Sequence, residues 1–105
     1  MKAWQFTAVG EPLALVESSD PQPGPDDIVI DTGAVGLCHS DIGFMDGTIT
    51  SLLGHIPIVL GHEIVGRIEA FGPGASRADV NGEVLAEGSR VVWSIVASCG
   101  KCFYC

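Results

Sequence analysis

Residues 63–71, Glu-Ile-Val-Gly-Arg-Ile-Glu-Ala-Phe, form a β-branched run stopped by Gly72-Pro73-Gly74, and no other stretch of the 105 residues constrains the fold as tightly. β-Branched side chains are stiff about χ1 and suit a pleated surface, while Gly and Pro punctuate regular structure. The rest of the chain repeats this pattern in shorter pieces. Residues 3–7 and 13–17 read as an opening hairpin about Gly10-Glu11-Pro12. Three prolines exclude regular structure from residues 20–26, which make a loop. Residues 27–36 predict a strand through Ile28, Val29, Ile30 and Val35, with Gly33 and Gly36 marking a bulge or a close backbone approach. A short helix is expected over 40–45, with His39 or Ser40 near its start. Residues 48–58 have no period and read as a loop ending on Ile56-Pro57. An acidic excursion follows over 75–87, turning at Asn81-Gly82, and residues 89–97 predict the last strand. The expected fold is mainly β, a partly open barrel with short helices, in one domain with a modest core.

Composition narrows the function classes. Five basic and 13 acidic residues give a net charge of −8. Such a field repels nucleic acid and anionic membranes, so neither is an expected partner. Apolar residues make up 47% of the chain and charged residues 17%, a balance that favours a folded domain over disorder. No window approaches the roughly 20 apolar residues of a membrane helix, and the start has no stretch like a signal peptide. A cytoplasmic protein is the expectation.

Four cysteines in such a chain point to metal or thiol chemistry before disulfides. Cys38 stands alone, while Cys99, Cys102 and Cys105 form a C-x2-C-x2-C run at the end. Two-residue spacers let successive thiolates converge on one metal, and Gly100 eases the turn. A structural zinc cage takes four ligands, so three make an unfinished site. An iron–sulfur cluster or free thiols would use the same spacing. A chain stopping on such a motif reads as an incomplete piece of a longer protein.

Cys38 follows one predicted strand and His62 heads another, and strand ends are where a scaffold presents ligands to a cleft. A catalytic zinc takes three protein ligands and leaves one position open. Singly, each residue has a plainer reading, Cys38 as a small buried apolar side chain and His62 as a hydrogen-bonded polar one.

Taken together, Gly61-His62-Glu63-Ile64-Val65-Gly66 with Gly72 and Ala75 resembles the zinc signature of the medium-chain alcohol dehydrogenases. Cys38-His39-Ser40-Asp41 resembles the Cys-x-Ser/Thr-Asp segment of that family, and Pro57 and Gly88-Ser89-Arg90-Val91 fall in the same order. The resemblance covers essentially the whole chain. It implies a GroES-like barrel with an incomplete zinc-binding lobe, the N-terminal part of a catalytic domain. Cys38 and His62 would be ligands of the catalytic zinc, and Glu63 an alternate ligand or electrostatic neighbour. Asp41 would orient a ligand imidazole, Ser40 would take the substrate hydroxyl proton, and His39 would face the cofactor pyrophosphate. Cys99, Cys102 and Cys105 would belong to a structural zinc whose fourth cysteine lies beyond Cys105. The implied reaction is hydride transfer between a small alcohol or carbonyl compound and NAD(P), in a parent expected to be a homo-oligomer.

Two departures stand out. The third ligand of the catalytic zinc has no counterpart here, and Gly43 occupies a position where some members end a proton relay with histidine. No G-x-G-x-x-G fingerprint occurs, so the cofactor domain is expected outside these residues, and the chain by itself is expected to be inactive. A stand-alone zinc-binding module without catalytic activity is the alternative. A zinc-free quinone-reductase relative is disfavoured by Cys38, Glu63 and the three terminal cysteines. His55 reads as a loop histidine, with a place in a substrate pocket as its functional reading.

Overall fold

The structure, a computed structural model, describes residues 1–95, 102 and 103. Five strands and one short helix appear in the order β1 (Lys2–Gln5), β2 (Ala14–Glu17), β3 (Ile28–Gly36), α1 (His39–Met45), β4 (Glu63–Phe71) and β5 (Arg90–Val92), with a 3-10 turn over Thr50–Leu52 before β4. They make two antiparallel sheets, β1-β2 and β3-β4-β5, and neither closes into a full barrel. The fold is mainly β, as the patterning predicts.

The long ladder between β3 and β4 is the frame of the molecule. It runs from Ile28↔Phe71 to Gly36↔Glu63 and slips register between Val29 and Ile30 and again between Thr32 and Ala34. The second slip falls on Gly33, where an extra residue breaks the pairing. β4 ends where Gly72 meets the proline-rich loop. Its N–H donates to the Asp27 carbonyl (2.8 Å), and the Gly74 N–H donates to the Pro25 carbonyl (2.6 Å). A Cβ at Gly72 would lie 2.7 Å from the Pro25 oxygen and 2.9 Å from its carbonyl carbon, so only glycine fits.

The opening hairpin is tied at two points to the segment that joins β3 to β4. Phe6 and Ile58 exchange backbone hydrogen bonds of 2.8 and 3.0 Å, and the Gly10 N–H donates to the Met45 carbonyl at the end of α1 (3.0 Å). Phe6 (0% exposed) and Ile68 (3%) are the fully buried apolar side chains among the described residues. On the outer face Trp4 pairs with Leu15 across the hairpin, and both are exposed.

Three expectations are adjusted. The hairpin strands are shorter than 3–7 and 13–17, because Phe6 leaves the hairpin to bridge Ile58. The last strand covers Arg90–Val92 instead of starting at Ser89 and running past Val92. Among the described residues β5 pairs with β4 at Val65, Gly66 and Arg67, and residues 96 and 97 of the expected strand lie outside the described residues. The loop over 48–58 contains the Thr50–Leu52 turn. Among the described residues no helix is long and apolar enough to cross a membrane.

Candidate metal centre

The chain delivers Cys38 and His62 to one end of the β3–β4 ladder. β3 ends at Gly36, and two residues on, Cys38 takes an extended conformation as the N-cap of α1. Asp41, three residues later in the first turn, accepts the Cys38 N–H through Oδ2 (2.9 Å). That bond satisfies one orphan donor of the helix start, and an acidic side chain there suits the helix dipole. Cys38 is thereby fixed at its backbone. His62 is fixed from the other side by Gly61, which holds φ +113°. A Cβ at Gly61 would lie 2.6 Å from Val35 Cγ1, so glycine is required on both counts.

The side chains converge. Ligand atoms of Cys38, His62 and Glu63 all lie within 4.8 Å of one another. Ser40 Oγ stands 3.2 Å from Cys38 Sγ and 3.4 Å from His62 Nε2. On the far side of the ring, His62 Nδ1 is 3.6 Å from Asp41 Oδ1, beyond hydrogen-bond length. Asp41 is 2% exposed, and its Oδ1 has no hydrogen-bond partner. The Ser40 hydroxyl is the main cause holding the Cys38 thiol below its ordinary value, with His62 adding to it. The Cys38 side chain, with the negative field of Asp41 and Glu63 behind it, raises His62 against the opposing effect of burial. The two groups push each other toward their charged forms.

The sequence-predicted residues divide clearly. Cys38, Ser40, Asp41, His62 and Glu63 come together. His39 is exposed at the first position of α1 and is not among the residues that gather there. His55 is exposed in the loop before β4. Cys102 is exposed, while Cys99 and Cys105 lie outside the described residues, so the second cysteine group has no structural account here. Gly43 is buried in α1, where a Cβ would sit 3.0 Å from Ile49 Cγ1. An imidazole at that position would displace Ile49.

Sequence reasoning missed the walls of the site. A cavity of about 400 Å³ opens beside Ser40 and His62, walled by Phe44, Leu53, Ile58 and Leu60. These residues come from α1 and from a loop without hydrophobic period, so no sequence pattern groups them.

The donor set fits a zinc ion. Sulfur, imidazole nitrogen and carboxylate oxygen are its usual ligands. The buried Asp41 Oδ1 is an acceptor without a donor, aimed at His62 Nδ1. An imidazole protonated on Nδ1 leaves Nε2, the nitrogen nearer Ser40, free to bind a metal.

Comparison with known proteins matches residues 24–105 to the alcohol dehydrogenase GroES-like domain. The NDMA-dependent alcohol dehydrogenase of Amycolatopsis methanolica is 36% identical over 104 residues, covering 99% of this chain and 25% of that protein. The NAD-dependent alcohol dehydrogenase of Sulfurisphaera tokodaii is 34% identical, covering all of this chain and 30% of its own length. Among solved structures, an alcohol dehydrogenase from Thermotoga maritima superposes with a TM-score of 0.78 at 31% identity, over 99% of this chain and 27% of that one. The chain spans about a quarter of the length of the curated relatives it matches.

Proposed function

Because the chain belongs to the family of the alcohol dehydrogenase GroES-like domain, we propose that its residues form the metal-binding side of a zinc-dependent alcohol dehydrogenase active site. The observation that carries the proposal is the convergence of Cys38, His62 and Glu63 within 4.8 Å, with an unpartnered buried carboxylate oxygen behind the imidazole. Cys38, His62 and Glu63 would hold the metal. Zinc bound there supplies Lewis acidity that makes an alcohol proton labile or polarises a carbonyl, and NAD(P) exchanges the hydride.

The remaining steps belong to the chain's own side chains. Ser40 sits at the cavity mouth within hydrogen-bond reach of both metal-binding residues, so it accepts the proton of a substrate hydroxyl. Asp41 holds the Cys38 backbone through Oδ2, and its unpartnered Oδ1, 3.6 Å from His62 Nδ1, would orient the ring of a metal-bound His62. The walls of Phe44, Leu53, Ile58 and Leu60 exclude water and favour a substrate with an apolar body. With Gly43 closed against Ile49, the proton leaves Ser40 by water or a cofactor hydroxyl and not by a histidine at that position. In this reading cofactor binding would fall to residues other than these 105, which contain no G-x-G-x-x-G run.

Metal stoichiometry tests this reading. With Cys99, Cys102 and Cys105 each changed to Ser, the chain should take up one Co2+ with the intense absorption of a thiolate ligand. Cys38→Ser should abolish that band and His62→Ala should weaken binding by at least about 100-fold. Cobalt uptake unchanged by both substitutions would refute the assignment.

A further inference from the structure

Gly36 and Glu63 face each other at the last rung of the β3–β4 ladder. The three atoms nearest an ideal Cβ built at Gly36 all belong to Glu63, with Oε2 and Cβ (3.0 Å) both inside normal contact distance. The Glu63 carboxylate therefore occupies the volume that any other side chain at position 36 would fill. From there its oxygen joins the Cys38 and His62 ligand atoms within 4.8 Å. Glu63 is on an exposed face of its strand and makes no hydrogen bond or ion pair of its own among the described residues.

We infer that Gly36 is the positioning residue for Glu63: its missing side chain gives the carboxylate its route across the ladder to the Cys38–His62 pair. The inference rests on the reading of that pair as a metal centre and adds what selects its third member. A larger residue at 36 would turn Glu63 outward into solvent and leave a two-ligand site. The nearest obstruction is the carboxylate end of a flexible side chain, which can swing away, while the Glu63 Cβ at 3.0 Å needs only a small shift. The fold can therefore yield while the ligand set cannot.

A double-mutant cycle separates this from a general need for glycine. In the background lacking the three terminal cysteines, Co2+ affinity is compared for Gly36→Ala, Glu63→Ala and the pair. Each single change should weaken cobalt binding by about 10- to 100-fold, and the pair should be no weaker than Glu63→Ala alone. Losses that multiply in the pair would overturn the inference, since position 36 would then act through something other than Glu63. The thermal midpoint of the metal-free chain gives a second cycle. Gly36→Ala should lower it, and Glu63→Ala should restore the share due to the carboxylate, since a Cβ at 63 stays 3.0 Å away, even if Gly36→Ala alone is too unstable to titrate. A loss of midpoint that Glu63→Ala leaves wholly in place would also overturn it. Absence of cobalt binding by the unsubstituted group would refute the metal reading itself, leaving the thermal cycle to decide the steric one.

Discussion

The two ends of the β3–β4 ladder carry glycines that do opposite things with the same missing atom. At Gly72 the vacant volume is filled by backbone, the carbonyls of Gly24 and Pro25, and the loop over 20–26 is stitched to the strand end by hydrogen bonds. At Gly36 it is filled by one movable side chain that carries a charge. The first arrangement cannot give way without unpicking the loop. The second gives way more easily but would cost the proposed metal site its carboxylate. A glycine can thus serve the loop junction at one end of a strand pair and the candidate site at the other, and the difference lies in whether backbone or side chain occupies the space.

The sharpest way to break that contrast is Gly72→Ala. It should destabilise the chain by about 3 kcal/mol, and Pro25→Ala should give no rescue because the obstruction is main chain. Urea unfolding measures this, and a loss below about 1 kcal/mol would dissolve the distinction. At the site end the balance should invert. Asp41→Asn keeps an oxygen for the Cys38 N–H but presents a donor to His62 Nδ1, so Co2+ affinity should fall by about 10- to 100-fold with the unfolding midpoint nearly unchanged. Asp41→Ala should cost a further ~1 kcal/mol of stability through the lost cap, read in the same urea experiment.

The smallest expected effect lies just past α1. Asp46 Oδ1 accepts the Thr48 N–H (2.8 Å), and the Thr48 side chain is the main cause holding its carboxyl below the ordinary 3.8. A lowered native value means the ionised form is the stabilised one. Its contribution is present above the ordinary carboxylate range and fades as pH falls through the native value. Asp46→Asn should therefore cost slightly at neutral pH and nothing in strong acid. A difference from wild type that persists in strong acid would assign the effect to something other than charge.

The sequence carried the strands in proportion to how local their signals are. β4 matches residues 63–71 because a β-branched run and its Gly-Pro-Gly stop are adjacent in the chain. Gly33 was legible as a bulge for the same reason. The last strand shows the opposite case: Trp93 and Ile95 have strand-like side chains, yet the described strand ends at Val92, a limit no local pattern marks. Phe6 leaves its hairpin for a partner at Ile58, a choice set by tertiary pairing. In the candidate site, Cys38, His62, Ser40 and Asp41 stand out in short motifs, and the structure brings them together. What Gly36 packs against was not legible, because that depends on the register of two strands far apart in sequence. Nor were the cavity walls, which come from a loop with no period.

The Gly36↔Glu63 rung has one more consequence. The width of the ligand pair is set by strand pairing, so the stretch over 46–60 that joins the two halves is not the ruler. That stretch supplies Leu53, Ile58 and Leu60 to the cavity. Loops of this kind tolerate changes of length and sequence far better than the elements they connect. The lining of the cavity can therefore change without moving Cys38, His62 and Glu63 relative to one another.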